Sequence, residues 1–100
     1  MNEVSLDQLS ARHFQELVGT LFQVLSEPAF VVTLELTAAT VQAPGGFSLL
    51  FTGPIDRPLD QRTYPFEHER IGRFDLFIVP VGADRSGRQY EAVFNRRANV

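Results

Sequence analysis

Hydrophobic positions in this chain change their spacing at Gly19. Before it, Leu6, Leu9, His13, Phe14, Leu17 and Val18 recur at helical intervals, so SLDQLSARHFQELVG reads as a helix stopped by Gly19. Ser5, with Gln8 three residues on, has the form of a capping box, and Ser10 offers a second start. The pattern predicts one short helix or two nearly continuous turns. After Gly19 the period becomes two. Residues 20–26, TLFQVLS, read as a strand that a turn at Glu27 and Pro28 closes. Phe30, Val32, Leu34 and Leu36 then alternate with Val31, Thr33, Glu35 and Thr37, the clearest half-buried strand in the chain. Residues 43–46, APGG, break that run. Phe47, Leu49 and Phe51 form the next inward row, which ends at Gly53 and Pro54.

The second half repeats the rhythm with one difference. Residues 55–62, IDRPLDQR, read as a loop, and residues 63–69 as a strand with Tyr64, Phe66 and His68 on one face. Pro65 marks that strand as an edge or an irregular start, because it has no N–H for a ladder. In residues 72–81, Phe74, Leu76 and Ile78 share one face and Phe77, Val79 and Val81 the other. Two apolar faces predict a central strand covered on both sides, with the N-terminal helix as one cover. Pro80 should weaken its pairing. Residues 82–87, GADRSG, read as a polar loop whose glycines can adopt positive φ at both ends. Tyr90, Ala92 and Phe94 then alternate with Glu91, Val93 and Asn95, completing a hairpin.

The predicted fold is mainly β. About six antiparallel strands run as a meander that curls into a small barrel or a two-layer sandwich, with a short N-terminal helix plugging one opening or covering one face. An α+β arrangement is the alternative. Residues 1–95 read as a single β-rich domain and residues 96–100 as a flexible tail. The chain of 100 residues suits one modest core. Nine Phe and two Tyr supply much of it.

Composition removes several kinds of chemistry. Cysteine is absent, which excludes disulfides and thiolate zinc sites. All nine basic residues are Arg, so a Schiff-base lysine and a Walker-type phosphate loop are also excluded. A net charge of −3 with scattered Arg lacks the basic stripe that nucleic acid requires. The N-terminal stretch lacks the apolar core of a signal peptide, and no run approaches the length of a membrane span. The expectation is a protein that is cytoplasmic when made and binds neither nucleic acid nor membrane.

The candidate chemical groups all have plainer readings. His68 stands in Glu67-His68-Glu69, with Asp75 placed to fall across a turn from it. A carboxylate beside an imidazole can hold one tautomer for acid–base work or metal binding. Adjacent strand residues point to opposite faces, however, so a strand-end histidine with solvated neighbours is the preferred reading. His13 reads as a packed or capping histidine. Gly82 and Gly87 lack the lysine and following helix of a phosphate loop, and Asp84 alone cannot cage calcium. Asp56 and Asp60 read as solvated loop acids, Arg85 and Arg88 as flanks of a solvated tip, and Tyr64 and Tyr90 as core aromatics. No Gly-x-Ser-x-Gly or His-Glu-x-x-His motif occurs. No catalytic, cofactor-binding or metal-binding residue is assigned.

Six stretches taken together resemble a bacterial family known as domain of unknown function 6916. They are LVGTLFQV, FSLLF, GPIDRPLDQ, TYPFEH, LFIVPVG and YEAVFN, which span most of the chain. Arg62 stands where the family leads one to expect Gly. The resemblance carries no catalytic residues. It implies an association with phage-tail-collar or microcystin-dependent-like proteins. The expected function is a non-enzymatic binding or assembly module with a protein partner, an accessory to a phage-tail-like fibre protein. The alternative is a small-molecule-binding barrel or minor enzyme with a site near His68.

Overall fold

The computed structural model describes residues 10–26, 30–42 and 46–94. The capping box at Ser5 and Gln8, the turns at 27–28 and 43–45, and the tail at 96–100 lie outside the described residues.

The helix is shorter than its sequence pattern. α1 covers Ala11–Gln15 and starts at Ser10. Ser10 N–H donates to His13 Nδ1 at 2.9 Å, so this histidine closes the first turn from the solvent side. A helix of little more than one turn has room for only a narrow buried stripe. Phe14, on α1, and Leu17, in the turn after it, are buried, while His13 and Val18 face solvent, contrary to the helical face drawn from spacing. Gly19 does end the segment, at a φ of 92° that suits glycine.

Six strands follow among the described residues: β1 Leu21–Ser26, β2 Phe30–Gln42, β3 Gly46–Gly53, β4 Arg62–His68, β5 Gly72–Asp84 and β6 Gly87–Phe94. All neighbouring pairs are antiparallel, and the order β1-β2-β3-β6-β5-β4 closes into a barrel. This is not the simple meander read from the sequence. It is two three-stranded meanders, β1-β2-β3 and β4-β5-β6, joined by a crossover at residues 54–61 and sealed where β3 meets β6 and β1 meets β4. The halves correspond in layout. β2 and β5 each have 13 residues, β3 and β6 each have 8, and each long strand carries one register slip. The slips fall between Leu36 and Ala38 and between Pro80 and Gly82. Closure removes most of the free edges an open sheet would leave.

The inward rows match the sequence pattern. Phe22 and Val24, then Val32, Leu34 and Leu36, then Phe47, Leu49 and Phe51, then Tyr64 and Phe66, then Phe74, Leu76 and Ile78, then Tyr90, Ala92 and Phe94 form one core. Phe22 meets Phe51 edge-on at 5.4 Å between centroids, a favourable aromatic geometry. Each mouth has its own plug. At the lower mouth Phe14 packs on Phe47, Phe74 and Phe94. At the upper mouth Leu59 drops from the crossover into the core, a burial that the loop reading of residues 55–62 did not foresee.

Three further expectations need correction. β5 is not covered on both faces: α1 plugs a mouth, so Phe77 and Val81 on the outer face are exposed. The loop at 82–87 shrinks to Arg85 and Ser86, because β5 runs to Asp84 and β6 starts at Gly87. Of its two glycines only Gly87 has a positive φ, 137°, while Gly82 lies in the strand just past the slip. Finally, β4 pairs with a neighbour on both sides, so Pro65 does not mark an edge of the sheet. The ladder to β1 is confined to Gln23 with Glu67 and Val24 with Phe66, and it ends beside Pro65, which has no N–H to extend it. Arg62, where Gly was expected, opens β4 opposite Ile78 and needs no positive φ.

Candidate functional site

The short seam between β1 and β4 brings together the polar side chains with the most specific geometry. His68 ends β4 on its inward face and is 4% exposed, the sole buried side chain among the described residues that does not belong to the hydrophobic core. Its Nδ1 accepts the Arg70 N–H at 3.0 Å. Its Nε2 lies 2.8 Å from Thr20 Oγ1, and that hydroxyl donates to the Leu17 carbonyl at 2.6 Å. These partners dictate the tautomer. Nδ1 accepts a hydrogen bond and so carries no proton, while the Thr20 hydroxyl proton is already committed to the Leu17 carbonyl. The imidazole is therefore neutral with its proton on Nε2, donating to Thr20. Burial lowers the His68 pKa below the ordinary histidine value, the nearby Arg70 charge lowers it further, and Glu69 opposes them. The Phe22 ring closes the inner side at 4.5 Å between centroids.

Outside this imidazole lies a groove of about 490 Å³ lined by Thr20, Leu21, Gln23, Glu67, His68 and Glu69. Its carboxylates do not converge on the ring. Glu67 alternates to the outer face and is gripped by Arg73 across the β4–β5 pair, at 2.6 and 3.0 Å. Glu69 is exposed in the hairpin turn. Asp75, expected across a turn from His68, is instead opposite Pro65, and His68 is opposite Gly72. Both nitrogens of this buried histidine are committed to hydrogen bonds and no carboxylate faces the ring, so in this arrangement neither nitrogen presents a free lone pair.

The other candidates from the sequence are also structural or solvated. Asp56 and Asp60 are exposed on the crossover, and the Asp60 backbone carbonyl accepts the Tyr64 hydroxyl at 3.0 Å. Burial raises the Tyr64 pKa, against that hydrogen bond. Tyr90 OH accepts the buried Leu59 N–H at 2.9 Å, fixing the upper plug. Arg88 Nε donates to the Ile55 carbonyl, and Arg85 sits at the exposed hairpin tip, so they form no paired clamp. Asp84 Oδ1 accepts from Ser86 N–H and Gln89 Nε2 within its own hairpin. No group of three or more His, Asp or Glu side chains among the described residues is placed to hold a metal ion.

A second cavity, about 390 Å³, opens at the upper mouth between the β1–β2 end and the crossover. Val32 and Leu59 give it an apolar floor, and the Arg57 guanidinium lies 5.9 Å from the centre of the Phe30 ring at its lip. Sequence reasoning did not find this cavity, nor Thr20 as the partner of His68. Thr20 is 48 residues from His68 and nothing in its local context signals the contact. The isolated Leu59 in a polar loop was the one available hint of a plug.

A family described as a domain of unknown function, DUF6916, matches residues 9–94. No curated protein and no solved structure matches the chain. The chain belongs to the DUF6916 family.

Proposed function

We propose that this member of the DUF6916 family is a non-enzymatic binding module that holds a protein partner along the outer side of β5. The observation that carries this reading is the asymmetry of β5. Its ladder to β4 ends at Ile78, whereas its ladder to β6 continues to Asp84. Residues 79–84 thus form an arm paired on one side only. Beside the arm, Phe77, Val81 and Val93 are each about half exposed. A free strand edge next to apolar side chains supports strand addition, in which main-chain hydrogen bonds give affinity and side chains give selectivity. Pro80 interrupts the donors along this edge, which limits unwanted pairing with other edges.

The competing reading, a small ligand held beside His68, draws support from the groove at the β1–β4 seam. It is weakened because both imidazole nitrogens and Glu67 already have partners. The tail-fibre association implied by the sequence resemblance supplies the first partners to try. The test is co-expression with neighbouring tail-collar-like proteins, followed by pull-down of the wild type, Val81→Lys and Val93→Glu. Both substitutions lie on the solvent side and should leave the fold intact. The expected result is capture by the wild type and loss in both variants, because an interface core tolerates an unpaired charge poorly. Undiminished capture by both variants overturns the β5 assignment. Failure to retain any such protein, together with a ligand whose affinity depends on Gln23 or Glu69, replaces it with the groove reading.

A further inference from the structure

We infer that His68 is an acid-released latch, neutral and seated in the barrel wall near pH 7, charged and swung into the adjacent groove when the pH falls. The seated state depends on a directed chain, Arg70 N–H to Nδ1, Nε2–H to Thr20 Oγ1, and Thr20 O–H to the Leu17 carbonyl. It joins the β4–β5 turn to the corner between α1 and β1, segments distant in sequence. A second proton has one place to go, Nδ1, and there it would face the Arg70 N–H. Two donors would then point at each other around a ring that is 4% exposed. An uncompensated buried charge costs far more than a rearranged surface turn.

The surroundings favour release over accommodation. Arg70, in the same turn, repels an imidazolium; Glu69 attracts it, but from the exposed side. Glu67, on β4, is occupied by Arg73 of β5. The groups presented by the α1–β1 corner and by β1 are Thr20, Phe22 and Gln23, none of them charged. The groove lies directly outside and offers the Glu69 carboxylate and solvent to a displaced imidazolium. The turn that must yield, at 69–71, ends at Gly72, whose φ of 87° glycine can change at little steric cost. The ladder to β1 stops at Glu67, so what holds His68 in place besides the hydrogen-bond chain is its pairing with Gly72 at the end of the β4–β5 ladder and its packing on Phe22. The sign follows from linkage. The folded state binds the proton less tightly than the unfolded chain, so stability is complete above the ordinary histidine pKa of 6.5 and falls as the pH drops from there through the lowered folded value.

The experiment uses a His13→Gln background, so that His68 is the only titrating imidazole. Ring nitrogen shifts and the Arg70 amide protection factor are followed by NMR from pH 7.5 to 4.5. The expected result is an Nε2–H tautomer at the upper end. From pH 6.5 down to the midpoint of the transition, Arg70 protection should fall by about tenfold per pH unit while amides in β3 and β6 keep theirs. His68→Gln preserves one acceptor and one donor but cannot take the proton, and should abolish the pH dependence at Arg70. Glu69→Gln, an exposed change that spares folding, should move the midpoint to lower pH by weakening the released state. A ring that stays seated on protonation, with Arg70 protection unchanged, overturns the inference. An unshifted midpoint in Glu69→Gln does the same for the groove as the destination.

Discussion

Replacing Tyr90 by Phe isolates the contact that holds the upper plug. Tyr90 is 1% exposed and lies in the inward row of β6, and Phe fills the same volume without the hydroxyl. The loss is therefore confined to one hydrogen bond, from the Leu59 N–H at 2.9 Å. That N–H belongs to the crossover, is buried, and would be left without an acceptor. An unsatisfied buried donor costs about 1–3 kcal/mol, more than the bond itself contributes net. For a domain of this size each kcal/mol corresponds to about 4–8 °C in Tm. Urea unfolding should show a lower midpoint at an unchanged slope, and hydrogen exchange should show the Leu59 amide deprotected ahead of β6. Tyr64→Phe is the internal control. It removes a donor to the Asp60 carbonyl, which sits on an exposed loop where water can replace it, so its cost should stay below about 1 kcal/mol. A loss below about 0.5 kcal/mol in Tyr90→Phe, or a loss no larger than that of Tyr64→Phe, would refute the reasoning.

Leu76→Ala should cost about 2–5 kcal/mol because the side chain is in the core, whereas inserting Gly and Ser between Arg85 and Ser86 should cost only about 0.6 kcal/mol per doubling of loop length. Paired urea curves compare the two, and equal tolerance would contradict the hairpin assignment. Gly87→Ala should destabilise more than Gly53→Ala. At Gly87 a Cβ would meet the Gly53 carbonyl oxygen and the φ of 137° is itself unfavourable, while at Gly53 the obstacle is the Leu34 Cδ2, a side-chain atom with some freedom to move. Thermal melts of the two variants give the order directly. Melts with and without a chelator should coincide, and a large fall in Tm with chelator would reopen the question of a ligand set around His68.

Closure hides its evidence from a reader of the sequence. The β3–β6 and β1–β4 contacts join residues that no local pattern connects, and an antiparallel meander has the same alternation whichever neighbours its outer strands choose. The apolar pair Phe77 and Val81 shows the same limit. Their alternation is that of a doubly buried strand, yet the element meant to cover them is a five-residue helix committed to the lower mouth. The spacing places His68 at the end of a strand, where a histidine with solvated neighbours is the preferred reading, and its burial does not show there. Its partners are not legible in the sequence either, since the Arg70 donor is a backbone N–H and the Thr20 hydroxyl comes from 48 residues away.

By itself the sequence determined that the chain makes strands with inward rows of Phe, Leu and Val, that a short helix precedes them, and that thiolate, lysine and phosphate-loop chemistry is excluded. Those properties depend on residue type and on spacing within a few positions, where backbone geometry alone decides which side chains share a face. Only the tertiary structure decided the strand order, the plug at each mouth, the tautomer of His68 and the open arm of β5. Each of these depends on which distant surface reaches a given group first. That is settled by burying the aromatic rows and pairing the backbone together, across the whole barrel at once.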